Sequence, residues 1–447
     1  MTDFLLSQTS SREILSVAQQ GPPGVGIQGL PGANGSNALF TPKAFPCVQP
    51  NQIISRFQAG HGWTATAQAT GTLNDTVNTI MGTQAATWAT KGAGAQAGIR
   101  NTAITAFSAV GKAFRILLRV QNVAHLTTLS LYAGDTGFAN FFLWNIQSAT
   151  TNPDIVYYQD GEWLQITLNW HDASITGTPN RAAITALQLA IYDDNTGQIV
   201  SATAQSVELI LDGSAIFPNG VISITFDDSY ASAITLGRQE LDVYGYPATS
   251  FQILDLLDTS GRATLIQTKQ AQDYSGWEIG AHAATLADHA ASLTALDPTA
   301  LEADFAAQIA WGKTNGITID GLAYPNGAHN AAVIAAAKRY FNYGRTICPK
   351  PKETPYPANP FKLRSVSSIS SYTGGVAPST LTATGTGHID LCKANASWLI
   401  LCLHQIVTVT PTATSQLLQS DLAAILAKAN SAQVPVMTMR AVLAKLT

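Results

Sequence analysis

The chain has 447 residues, of which 12% are charged, with Lys+Arg 24 against Asp+Glu 28. That length allows two or three domains with real cores, and the charge balance offers no basic surplus to hold nucleic acid or an anionic membrane surface. Apolar runs such as Trp398 to Leu403 are too short to span a bilayer, and the start, Met1 to Leu6, lacks the basic and long apolar stretches of a secretory signal.

In chain order, residues 1–20 read as an attachment segment with a short helix through Ser11 to Leu15. From 21 to 37 glycine recurs at every third place, as Gly21, Gly24 and, after one missing residue, Gly26, Gly29, Gly32 and Gly35, with proline between. This is the spacing of a collagen-like neck that winds three chains together, the alternative being a flexible Pro/Gly linker.

Residues 38–212 change to short alternating runs, among them Ala113 to Val120, Thr128 to Tyr132, Trp163 to Trp170 and Leu187 to Tyr192. Short strands with turn residues between them predict an antiparallel β-sandwich, carbohydrate-binding-like or trimer-forming. Trp63, Trp88, Trp144 and Trp170 are candidates to stack on sugar rings, with core packing as the other reading.

After 213 the pattern becomes strand, helix, strand, helix. Strands are predicted at 221–226, 249–254, 277–281, 321–325, 343–347, 397–403 and 434–439, and helices at 232–243, 265–272, 299–314, 330–341 and 416–430. Alternation of this kind gives a parallel sheet, and this many units in 213–447 predicts a distorted β/α barrel. The four cysteines (Cys47, Cys348, Cys392, Cys402) lack C-x-x-C spacing and read as buried free thiols.

Barrels keep their chemistry at the C-terminal ends of their strands. The first strand there ends in Asp227-Asp228, the third in His282 with His289 seven residues on, the fourth in Tyr324-Pro325-Asn326-Gly327, the next in Arg345 and a later one in His404. One aspartate could be a helix cap; two adjacent carboxylates can divide between gripping a cation and taking a proton from water.

In that order, Thr-Phe-Asp227-Asp228, Glu278 to His282, Tyr324 to Gly327 and Leu401-x-x-His404 resemble the motifs of the polysaccharide deacetylase superfamily over about 213–447. The resemblance implies Asp227 as general base, Asp228 and His282 as ligands of a divalent metal ion, zinc foremost, and His404 as general acid. It also implies that the Asn326 amide holds the oxyanion, while Leu401, Tyr324 and Pro325 line the substrate pocket.

Two departures stand out. The family's second metal histidine falls four residues after the first, where this chain has Leu286, so His289 is the expected third ligand. On a continuous helix His289 would lie about 10 Å along the axis from His282, so the intervening segment must loop out; Asp288 and His329 are the substitutes. An arginine common in the family is replaced by Ala323, and Arg345 is the expected replacement beside Asp227.

The whole looks like a bacteriophage tail spike: a metal-dependent deacetylase of bacterial capsule or O-antigen. It is expected as a homotrimer in the virion, docked through its N-terminus to a tail or baseplate protein. The alternatives are a glycan-binding adhesin with a decayed barrel, and an extracellular bacterial enzyme.

Overall fold

The computed structural model describes residues 49–148 and 157–446. The collagen-like segment, the N-terminal helix and Cys47 lie outside the described residues.

Two antiparallel sheets come first. One has the order Gln52–Ser55, Ser201–Leu211, Lys112–Gln121, Trp163–Leu168, with Ala86–Ala89 also paired to Ser201–Leu211. The other has the order Thr64–Ala65, Ala97–Asn101, Ala186–Asp193, Leu126–Gly134, Phe141–Ser148, Ser174–Thr176. Alternate residues of facing strands, such as Phe114, Ile116 and Leu118 against Leu129, Leu131 and Leu187, fill one core between the sheets, as period-two patterning requires.

The four tryptophans named as sugar platforms are part of that core. Trp88 and Trp144 are wholly buried and Trp63 and Trp170 nearly so. Trp144 donates its indole N–H to the Asn169 carbonyl at 2.6 Å and Trp170 donates to the Lys112 carbonyl at 2.7 Å. Large rings in a sandwich contribute most by filling the inter-sheet space, and this outweighs exposure for stacking.

The barrel strands are β1 (Val221–Phe226), β2 (Thr249–Ile253), β3 (Glu278–Ala283), β4 (Gly321–Ala323), β5 (Tyr343–Arg345) and β6 (Trp398–Leu403). All pair in parallel, in the order β5-β4-β3-β2-β1-β6. Residues 363–366 close the ring as a seventh stave, bridging Leu363 to Arg345 of β5 and Val366 to Leu401 of β6. Sequence reading missed this stave because Leu363-Arg364-Ser365-Val366 has no apolar run. Its residues alternate between Ser365, bonded to the Arg345 side, and Arg364, turned to Glu353.

The helices are α1 (Arg238–Asp242), entered through a π-turn at Ala233–Gly237, α2 (Leu265–Ser275), α3 (Leu286–Ala291), α4 (Pro298–Asn315), α5 (Ala331–Ala337), α6 (Pro378–Thr382), α7 (His388–Asn395), α8 (Gln419–Ala432) and α9 (Met439–Ala444). Side-chain caps start several of them: Thr264 and Gln267 form a capping box on α2, Asp297 caps α4 and Asn330 caps α5.

Two predicted elements differ. Helix 416–430 opens instead as a short strand, Gln416–Leu418, paired with Gln405–Val407. Strand 434–439 contributes one bridge, Val436 to Ile222, before α9 begins. Above Ile222 the same edge of β1 is taken by β2, at Thr225 and Phe226, so only the N-terminal end of β1 is left for it to pair with.

Sandwich and barrel belong to one compact unit. The Arg364–Glu353 ion pair is buried where the two meet, Arg364 Nη1 also donates to the Thr167 carbonyl at 3.0 Å, and Asn169 Nδ2 donates to the carbonyls of Lys352 and Glu353 at 2.8 Å each. Beside them His171 Nδ1 lies 2.9 Å from Ser397 Oγ and His171 Nε2 lies 3.0 Å from His388 Nδ1. Among the described residues, Cys392 and Cys402 are buried free thiols, as expected, Cys348 is buried, and no helix is long and apolar enough to cross a membrane.

Candidate metal and catalytic site

Along each strand every second side chain points into the barrel. Val221, Phe251, Tyr343, Leu363, Trp398 and Ile400 fill its middle and lower part, and α9 closes the bottom with Met439, Val442 and Leu443. Above this plug the inward positions turn polar.

β1 ends at Phe226, and the next peptide bonds back to β6, Asp227 N–H to the Leu403 carbonyl at 2.9 Å. The chain then turns sharply, with Asp228 at φ +66° and Ser229 at φ +57°. Two left-handed residues in succession are strained, and such strain persists only where surrounding contacts impose it. Here the Ser229 hydroxyl donates to the Ile253 carbonyl at 3.2 Å and accepts from the Ile253 amide at 2.9 Å, while Arg262 Nη1 donates to the Asp228 carbonyl.

β3 carries a bulge at His282: Gln252 pairs with Ala281, and Ile253 with Ala283. Bulges re-aim side chains, and this one leaves His282 buried and aimed at the end of β1. His282 Nδ1 donates to the Ala323 carbonyl at 2.8 Å, which leaves its Nε2 lone pair facing Asp228. The chain breaks after Ala283 and restarts as α3, capped by Thr285, so His282 and His289 never share a helix. The seven-residue spacing is thereby accommodated by a strand, a turn and a new helix.

The result is a nearly equilateral triangle. Asp228 Oδ1 lies 3.4 Å from His282 Nε2 and 3.3 Å from His289 Nε2, and the two Nε2 atoms are 3.2 Å apart. Asp228 Oδ1 is buried and has no hydrogen-bond partner. A tetrahedral ion with bonds of about 2.1 Å separates its ligands by about 3.4 Å, so the spacing fits a small divalent ion with one ligand position left open. Two imidazoles and a carboxylate suit zinc, cobalt or nickel as donors.

The electrostatics point the same way. Burial disfavours charge on Asp228, but His282 and His289 outweigh it and hold the carboxyl far below its usual range. Burial also disfavours the His282 imidazolium, yet Asp228 and Asp227 raise its pKa above the ordinary value. The pocket stabilises positive charge at the point where the triangle closes.

Asp227 sits beside it, 3% exposed. Its Oδ2 accepts from Arg345 Nη2 and from Cys402 Sγ, the latter at 3.3 Å, and Oδ1 is buried without a partner. Burial pushes its pKa up, and the cations of Arg345 and His282 reverse this and keep it below the usual carboxylate range. Arg345, fully buried on β5, also lies over the Phe251 ring at 5.3 Å and reaches Ser365 Oγ at 3.5 Å. His404 brings a ring nitrogen within 4.8 Å of Asp227 and Cys402, and burial holds its pKa below normal.

Asn326 and Pro325 lie in a turn between β4 and α5, with Asn326 exposed at φ +56° and Pro325 buried. The structure therefore brings Asp227, Asp228, His282, His289, Arg345 and His404 together and places the turn of Pro325 and Asn326 against α3.

Two pocket-lining expectations are corrected. Leu401 points outward, into the layer of Leu399, Leu422 and Leu426, because it is odd in register with His404 on β6; the inward neighbour is Cys402. Tyr324 likewise faces the helices, among Leu301, Phe305 and Val333, and donates its hydroxyl to the Phe361 carbonyl at 2.9 Å. The substitutes are not in the triangle either: Asp288 bonds Thr285 Oγ at 2.7 Å, and His329 is buried with Nδ1 on the Gly327 carbonyl.

Sequence reading missed Cys402, Arg262 and the carboxylates that hold α3. Asp255 accepts from the Leu286 amide at 2.9 Å and Asp304 from the Ala284 amide at 2.7 Å. Counting by twos back from His404 would have found Cys402; the others are set by tertiary contact alone.

Residues 215–342 match the family model described as Polysaccharide deacetylase. Among solved structures, the chain is similar to the Xyl-CE4 domain of a multidomain xylanase from the hindgut metagenome of Trinervitermes trinervoides, at 16% identity over 51% of this chain and 91% of that one, TM-score 0.34. It is also similar to a family 4 acetyl xylan esterase from Clostridium thermocellum in complex with a cobalt ion, at 17% identity over 50% and 90%, TM-score 0.34. A third is a CE4 family pseudoenzyme from Bacillus anthracis, at 15% identity over 51% and 66%, TM-score 0.35. Likeness at this level says nothing about activity, and no curated protein matches the chain. What residues 215–342 do establish is that the chain carries a domain of a hydrolase family, the polysaccharide deacetylases.

Proposed function

We propose that the chain is a metal-dependent deacetylase that hydrolyses acetyl groups from a polysaccharide. The observation that carries this is the Asp228, His282 and His289 triangle, with 3.2 to 3.4 Å edges, beside a buried carboxylate whose Oδ1 has no partner.

Asp228, His282 and His289 would hold the ion, which when bound polarises the acetyl carbonyl and acidifies water. Asp227 takes the proton at Oδ1, because Arg345 and Cys402 occupy Oδ2 and keep the carboxylate ionised and fixed in direction. The Asn326 amide, in its left-handed turn, donates to the oxygen that gains negative charge. His404 delivers a proton to the departing sugar oxygen or nitrogen. Zinc is the first candidate for the ion.

The finer context rests on sequence. A Gly-x-y segment, a β-rich region and a polysaccharide-active domain in one chain support a trimeric tail spike acting on bacterial capsule or O-antigen, where three linked copies gain avidity for a repeating glycan. The rival adhesin reading drew on the seven-residue histidine spacing, and the break between β3 and α3 takes that ground away.

The test is acetate release from a panel of acetylated bacterial glycans by the zinc-loaded protein. Release should stop on chelation and in Asp228→Ala and His282→Ala. Undiminished release from either variant in chelator would refute the proposal.

A further inference from the structure

The third ligand, His289, stands on a helix of six residues that does not continue from β3, and so short a helix does not hold its own position in water. Its start is pinned by Asp255 and Asp304. Its end is pinned by one side chain: Asn326 Nδ2 donates to the His289 carbonyl at 3.3 Å and to Ser292 Oγ at 3.2 Å. Since a carbonyl can only accept, the amide nitrogen must be the atom facing it. Ser292 is itself at φ +67°, where α3 stops, so the Asn326 contact lies on the strained end of the ligand-bearing helix.

Asn326 is also the left-handed residue of the β4–α5 turn, φ +56°. One residue therefore grips the ligand helix with its side chain while its own backbone shapes the turn. We propose that Asn326 is a positioning residue that couples the two: its side-chain amide holds His289 in the ligand triangle, and a cation in the triangle in turn orders the 325–327 turn. This rests on the proposed metal-binding role of His289. Coupling of this kind is reciprocal, so the turn must respond to the cation as much as the cation responds to the turn.

Asn326→Gly separates the roles, because glycine keeps the positive φ at little cost and removes only the side chain. With the full-length chain and zinc alone, chelator competition should show Asn326→Gly binding about 10-fold to 100-fold more weakly, the range expected when a group supporting a ligand is lost. Ser292→Ala, which removes one of the two acceptors, should weaken binding less. Hydrogen exchange gives a second readout independent of activity. Zinc should slow exchange at the amides of residues 326–328 in the wild type and leave those amides unchanged in Asn326→Gly.

Zinc affinity in Asn326→Gly equal to wild type would overturn the proposal, as would equal zinc-induced protection of the turn in both proteins. A fall in the melting temperature of metal-free Asn326→Gly that accounts for the lost affinity would overturn it too. Absence of acetate release alongside weakened zinc binding and lost coupling would instead count against the proposed hydrolysis and support this inference.

Discussion

Acidification should loosen the seam between sandwich and barrel, because His171 and His388 are held neutral there. Burial lowers the His171 pKa to about 3, with Asp172 partly opposing and Lys352 and His388 adding to it. Burial lowers that of His388 to about 4, with Lys352 adding and Asp172 opposing. Both lie below the unfolded value of about 6.5, so the unfolded chain binds protons first. The stability these residues contribute is complete above about pH 6.5 and is lost as pH falls toward their folded values. At pH 5 the loss is about 1.5 pH units times 1.36 kcal/mol, or about 2 kcal/mol for each imidazole and up to about 4 kcal/mol for the two together. Urea unfolding from pH 7.5 to 5, run on wild type and His388→Asn, isolates the effect, since carboxylates titrate equally in both. The wild-type curve should fall by up to about 2 kcal/mol more than the variant over this span. Parallel curves would show that the buried imidazole pair does not govern the seam.

Further perturbations probe the site. Arg345→Met strands the Asp227 carboxylate in the barrel, and breaking a buried pair in this way should cost about 3 to 5 kcal/mol in denaturant unfolding and most of the acetate release. His289→Ala should retain the fold and lose zinc on dialysis, read by metal analysis, while Leu286→Ala keeps it. Leu401→Ala should cost about 2 to 5 kcal/mol through a cavity in the helical layer while kcat stays near wild type; Cys402→Ala, which removes a partner of Asp227, should lower kcat. A large fall in kcat for Leu401→Ala with none for Cys402→Ala would mean that β6 is read in the wrong register.

Most of the barrel was legible because its strands are apolar runs set at regular intervals between helix signals, and because a strand end marks where polar groups gather. Asp227, Asp228, His282 and His404 were found by that logic. Leu401 and Tyr324 were misplaced for one reason: on a strand, a slip of one residue exchanges the inside for the outside, and an apolar or aromatic side chain is welcome on either face of a buried sheet. The four tryptophans failed similarly, since composition does not tell a core ring from an exposed one.

The sequence alone determined the alternation that makes a parallel barrel, the short strands that make a sandwich, and the residue types available at the barrel rim. Only the tertiary structure decided that residues 363–366 close the ring and that His289 meets His282 across a broken segment. It likewise decided that Arg345 pairs with Asp227 and that Asn326 reaches α3. Local pattern reports which groups a chain carries and which face each strand buries, whereas the meeting of groups 7, 37 or 118 positions apart depends on how the elements pack.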